Sequence, residues 1–155
     1  MFQFIRTVLI GLLVSIANTG YTMDLEFEDP KTLAYIMSGF ASKHLGTDKQ
    51  YNENNTGLGV LFNNGWGGGY YKNSLNKDSW YLIKELEKEL GNVGPMKFSG
   101  TLDLGAVTGY NKPITPIVLP GLGMQIGDYR ANLGMVPPIK GVTPATLALQ
   151  FRKKF

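Results

Sequence analysis

Alternation of apolar and polar positions is the dominant signal in this chain. Between Met96 and Tyr110, Phe98, Gly100, Leu102, Leu104, Ala106 and Tyr110 fall on one face, and Lys97, Ser99, Thr101, Asp103 and Gly105 on the other. A period of two residues belongs to a β-strand with an apolar and a polar face. Ala145 to Phe155 repeats it, with Leu147, Leu149, Phe151 and Phe155 against Thr146, Ala148, Gln150, Arg152 and Lys154; Lys153 alone interrupts the apolar side. Gly57–Asn63 sets Leu58, Val60 and Phe62 against Gly57, Gly59 and Leu61. Ile114–Met124 sets Ile114, Val118, Leu122 and Met124 against Thr115, Ile117, Leu119, Gly121 and Gly123.

Four further segments complete the pattern. Leu33–His44 reads as a first strand with both faces mixed: Ile36, Phe40, Ser42 and His44 on one, Tyr35, Met37, Gly39 and Ala41 on the other. Trp66–Ser74 is a third strand, whose Gly67-Gly68-Gly69 clears space on an inner wall or permits a bend. Trp80–Glu87 is read as a fourth strand, although WYLIKELEKEL also carries the spacing of an amphipathic helix. Ala131–Val136 is a seventh. Asn63-Asn64-Gly65 has the chemistry of a tight hairpin, since both residue types accept positive φ. Leu90–Pro95, Asn111-Lys112-Pro113, Gly127–Arg130 and Pro137–Pro144 supply the other connections. Pro113, Pro116 and Pro120 have no amide to donate, so part of the sixth strand must lack an ordinary neighbour on one side.

Eight strands of roughly nine to eleven residues suit a small barrel that turns apolar side chains to lipid and polar ones to its lumen. The predicted fold is therefore all-β: an eight-stranded antiparallel up-and-down outer-membrane β-barrel. Parity then gathers the loops after strands one, three, five and seven at one rim. His44, Tyr51-Asn52-Glu53 and Asp78-Ser79 share that rim.

Length and composition narrow the picture. A chain of 155 residues suggests one domain, and 43% hydrophobic with 17% charged residues excludes a disordered tail. Twenty glycines and eighteen Phe, Tyr and Trp residues agree with strands and turns. With no cysteine there is no disulfide, thiolate metal site or thiol nucleophile. Net charge is +3, and its one block, Arg152-Lys153-Lys154, lacks the aromatic-interleaved basic stripe of a nucleic-acid binder. No nucleic-acid partner is expected. Val8–Ala17 is an apolar run of ten following Arg6, the length of a signal-peptide core and too short to span a bilayer as a helix. Residues 1–22 are expected to be a signal peptide, cleaved after Ala17 or Thr22, and 23–155 the barrel.

Candidate chemistry lies at the rim. His44 is the one histidine, and so the one side chain with an unperturbed pKa near neutrality. Asp78 could orient it, and Ser79 could serve as nucleophile or oxyanion donor. Equally, a histidine at a strand end is an ordinary rim residue and Asp-Ser an ordinary turn pair. Gly121-Leu122-Gly123 is no dinucleotide fingerprint, because no helix follows it.

Tyr51-Asn52-Glu53, a glycine-rich strand pair, Lys77-Asp78-Ser79-Trp80, the prolines of PITPIVLP and a closing aromatic strand occur here in order. This set resembles the lipid A palmitoyltransferase (PagP-type) family of the Gram-negative outer membrane, from about His44 onward. It is also similar to short phage and bacterial proteins with an H…YNEN…GLG pattern. The palmitoyltransferase resemblance implies an outer-membrane monomer with an interior acyl pocket, moving a palmitoyl chain from a phospholipid donor to a hydroxyl of lipid A, with no cofactor and no metal. It implies His44, Asp78 and Ser79 as catalytic residues. Pro116 and Pro120 match prolines beside which lipid enters through the wall, with Tyr51 and Glu53 at the access rim. A non-catalytic barrel of the same fold, bacterial or phage-borne, and an exported lipid-binding barrel are the alternatives.

Overall fold

The computed structural model describes residues 33–138 and 143–155. The expected signal peptide lies outside the described residues, as does part of the loop 137–144. Eight strands run in sequence order: β1 (Leu33–Leu45), β2 (Asn54–Phe62), β3 (Trp66–Lys72), β4 (Asp78–Val93), β5 (Met96–Val107), β6 (Thr115–Ile126), β7 (Tyr129–Val136) and β8 (Ala145–Lys154). Each pairs antiparallel with the next, and β8 pairs with β1 to close the barrel. No helix among the described residues is long and apolar enough to cross a membrane. An eight-stranded closed barrel is compatible with an outer-membrane barrel, which crosses by strands.

The alternation sorts residues across the wall. Leu58, Leu82, Val118, Leu122, Leu133 and Phe151 all stand on the exterior, each between 46% and 62% exposed. Inside are Glu85, Ser99, Thr101, Arg130, Asn132 and Arg152, all buried. This inverts the ordinary arrangement in which apolar side chains leave the surface. Trp66 and Trp80 stand on the outer face of neighbouring strands at different heights, with Tyr70 tilted against Trp80 at 5.3 Å.

The lumen has two layers. Towards the rim it is aromatic and aliphatic: Phe40, Tyr71 and Tyr81 pack mutually at 5.8–6.1 Å between ring centroids. The glycines of β2 and β3 make room for them, since a side chain at Gly59 or Gly69 would collide with the Tyr81 hydroxyl. Farther from the rim the lumen is crossed by ion pairs. Arg152 meets Glu85 through Nη1–Oε1 at 2.8 Å and Nη2–Oε2 at 2.6 Å. Arg130 donates to Glu87 (2.7 Å), Asn132 (2.6 Å) and Ser99 (2.9 Å). The basic block of the C-terminus is thus split by the wall: Arg152 is buried in the lumen, while Lys153 lies on the exposed side beside Phe155.

One expectation changes and another is extended. The mixed faces of β1 arise from a bulge, because the register slips between Ser38 and Phe40 on β2 and between Ser38 and Ala41 on β8. Gly39 takes φ +65 there, a conformation other residues adopt only with strain. Tyr35 and Met37 therefore face inward before the bulge, and Phe40, Ser42 and His44 after it. The segment WYLIKELEKEL is strand throughout; β4 runs to Val93 and turns at Gly94-Pro95. Its pairing with β5 over twelve rungs overrides the helical spacing.

Candidate functional site

At the rim, His44 ends β1 facing inward and stacks on Tyr51 at 4.1 Å with 12° between ring planes. Lys49 Nζ lies over the Tyr51 ring, 5.2 Å from its centroid. The loop that carries Tyr51 is held by Glu53, whose carboxylate accepts from Lys43 Nζ (2.9 Å) and from the His44 backbone amide (3.2 Å). The Lys43 hydrogen bond, then the His44 amide, hold the Glu53 carboxyl below the usual glutamate range. Its Oε1 stands 3.9 Å from His44 Nδ1, too far for a hydrogen bond, and that buried nitrogen has no hydrogen-bond partner among the described residues.

Ser79, two strands beyond β2, is fully buried. Its hydroxyl donates to the Thr108 carbonyl (2.7 Å) and accepts from Asn73 Nδ2 (2.9 Å). The single hydroxyl proton is thereby committed to the backbone of the β5–β6 loop. Asp78, the neighbouring residue, faces the opposite side of the wall. It is exposed and accepts from the Tyr70 hydroxyl (2.6 Å) and Lys72 Nζ (3.0 Å). His44, Asp78 and Ser79 share one rim as parity requires, yet none of the hydrogen bonds of Asp78 or Ser79 reaches His44.

What joins the rim is Asn73, which sequence reasoning passed over. Its Nδ2 donates to Ser79 Oγ and to the Gly109 carbonyl (2.8 Å), and its Oδ1 accepts the amides of Leu75 (2.9 Å) and Lys77 (3.0 Å). Its carbonyl accepts from Asn52 Nδ2 (3.2 Å), one residue from Tyr51. One buried asparagine, through its side chain and its backbone carbonyl, thus ties the β1–β2, β3–β4 and β5–β6 loops together. The only trace in the sequence is an Asn two residues before a Leu in a polar turn, a common pattern.

No protein-family model matches the chain, and no curated protein sequence does. The site is therefore read from its own geometry.

The sixth strand shows the gap its prolines require. β5 pairs with β6 along its whole length, Pro116 opposite Ala106 and Pro120 opposite Leu102. On the other side β6 joins β7 only from Gly121 to Ile126. Thr115–Pro120 has no ladder partner on that side among the described residues, and β7 itself stops at Val136. Among the described residues this leaves a notch in the wall, from mid-height to the rim. Leu119 borders it, its side chain packed against the position of Gly134. Tyr51 and Glu53 sit at the same rim through the β1–β2 loop, as the topology dictates.

Proposed function

We propose that the barrel sits in the outer membrane and transfers an acyl chain from a phospholipid to a hydroxyl of lipid A, with His44 as the general base. The observation that carries the reading is the notch beside Pro116 and Pro120, on the same rim as an inward histidine whose Nδ1 is free to take a proton. The apolar outer wall supports lipid contact, and Lys84, which donates to the Asn64 carbonyl beside Trp66, has the behaviour of a cation snorkelling to an interface. An acyl chain entering at the notch would meet the aliphatic side of the upper lumen, near Ile117 and Leu119.

In the transfer step His44 takes the proton of the acceptor hydroxyl as its oxygen bonds to the acyl carbonyl carbon. The ester bond of the donor then breaks, and the departing lysophospholipid oxygen receives the proton from His44. The acyl group passes directly from donor to acceptor. Ser79 acts in this scheme through its hold on the rim, because its hydroxyl proton already belongs to Thr108. Asp78, with Tyr70 and Lys72, forms a polar cluster on the outer face beside Trp80, where lipid headgroups would lie.

The test is the mass of lipid A from cells lacking their own palmitoyltransferase. Expression of this chain should add one palmitoyl mass, and His44→Ala should remove it while the barrel still inserts. Bridging β6 to β7 through cysteines at Leu119 and Val136 should also abolish the added mass, and the cysteine-free background makes the bridge unambiguous. An unchanged lipid A mass from a correctly inserted barrel would favour the non-catalytic barrel instead.

A further inference from the structure

The β4–β5 hairpin outruns its neighbours at the end opposite the rim. β3 pairs with β4 only as far as Trp66 opposite Lys84, and the Glu85 amide adds one bond to the Gly65 carbonyl (2.8 Å). β4 continues to Val93, paired with β5 alone. Successive amides of a strand point in alternate directions. With the Glu85 amide directed towards β3, the amides and carbonyls of Glu87 and Glu89 point to that same side, where no ladder partner lies among the described residues. Both residues are exposed, and Leu90 beyond them is 59% exposed. A free edge with unsatisfied backbone groups is a template for strand addition.

The side chains along that edge select what can add. Glu87 and Glu89 line its inner face, and Lys88 and Leu90 its outer face. A second copy of the chain, laid antiparallel about a twofold axis, would set Glu87 against Glu89 and Lys88 against itself. Like charges directly opposite one another disfavour that pairing. The Glu87 carboxylate already accepts from Arg130 (2.7 Å), so Glu89 carries the charge selection. An added strand fits with a cation beside Glu89, a second beside the outer oxygen of the Glu87–Arg130 pair, and its apolar residues beside Leu90. The register slip between Glu89 and Gly91 bends the strand and ends the usable edge there. We propose that the free edge of β4 at Glu87 and Glu89 docks an extended segment of another polypeptide, one in which basic and apolar residues alternate, by strand addition.

The experiment uses the full barrel in detergent micelles and two labelled peptides of about ten residues, one alternating Lys with Val and the other Glu with Val. Fluorescence anisotropy should show binding of the Lys–Val peptide only, and hydrogen exchange at the Glu87 and Glu89 amides should slow roughly tenfold or more on its addition. Glu89→Lys should weaken binding about tenfold through like-charge opposition. Glu89→Pro removes a free donor without touching the β5 ladder, and should abolish the protection at the edge. Failure of the Lys–Val peptide to bind would overturn the proposal. So would binding that leaves both amides unprotected, or that Glu89→Pro weakens no more than the equally charged Glu89→Gln does, since either marks adhesion by charge alone. Edge protection that appears with rising protein concentration and no peptide would overturn it in favour of a second copy.

Discussion

Leu82→Arg puts a guanidinium on the outer wall at the height where a bilayer would be driest. Leu82 stands opposite Gly68 and Ala106, between the Tyr70–Trp80 rung and the Trp66–Lys84 rung. Its neighbours are small, so an arginine fits without a clash and the effect is one of solvent alone. Leu82 is 59% exposed in the free barrel. Since full burial of a leucine side chain gains about 1.5–3 kcal/mol, covering the remainder with hydrocarbon contributes roughly 1–2 kcal/mol. An arginine near the midplane of a barrel costs a further 2–4 kcal/mol or so. The substitution should therefore destabilise the inserted barrel by about 3–6 kcal/mol. Leu82→Ala, the control, loses only the first part. Guanidinium unfolding in lipid vesicles, followed by the fluorescence of Trp66 and Trp80, reads both. If Leu82→Arg proves as stable as Leu82→Ala in vesicles, the outer wall does not face hydrocarbon and the membrane reading fails.

Other expectations follow from the rim and the lumen. Asn73→Ala leaves the Ser79 hydroxyl, the Gly109 carbonyl and two loop amides short of partners; a loss of roughly 1–3 kcal/mol in the same assay, with faster exchange at Leu75 and Lys77, is expected. Arg152→Ala strands a buried Glu85 carboxylate and should cost about 3–5 kcal/mol, whereas Lys153→Ala, its outward neighbour, should cost almost nothing. The clasp of Glu53 on the first rim loop depends on pH with a definite sign. Because Lys43 holds that carboxyl below the usual range, the clasp is fully present above the ordinary glutamate pKa and opens only as pH falls through the lowered one. Exchange at the His44 amide should accordingly stay slow from neutral pH down through the usual carboxylate range and accelerate beneath it. Acceleration already near pH 6 would contradict the Lys43–Glu53 contact.

The barrel was legible in the sequence because its period is the shortest there is. Each residue faces opposite to the one before it, and β2, β5, β6 and β8 read correctly from that rule alone. Proline was equally legible: a residue without an amide forbids a ladder bond wherever it sits, and the β6 gap is where Pro116 and Pro120 put it. The misread face of β1 and the ambiguous period of β4 have different physical origins. At Gly39 one residue in a left-handed conformation exchanges inside for outside, and nothing in the neighbouring side chains announces it. In β4, Lys84, Glu85, Glu87, Lys88 and Glu89 satisfy a helical and an extended period alike, so only pairing with β5 decides. The rim was legible in part. Parity gathers His44, Asp78 and Ser79 at one end, but adjacent strand residues face opposite ways, so Asp78 and Ser79 cannot share a surface. Asn73 escaped notice because its partners lie in loops as far as 36 residues away.

The most direct measurement is whether the closed fold exists without lipid or detergent. Refolded into vesicles or micelles, the chain should give a β-rich circular dichroism spectrum and a single monomeric species by sedimentation; diluted into plain buffer, it should aggregate as its apolar outer faces meet. A monodisperse, equally folded monomer in plain buffer would contradict an outer wall made for hydrocarbon.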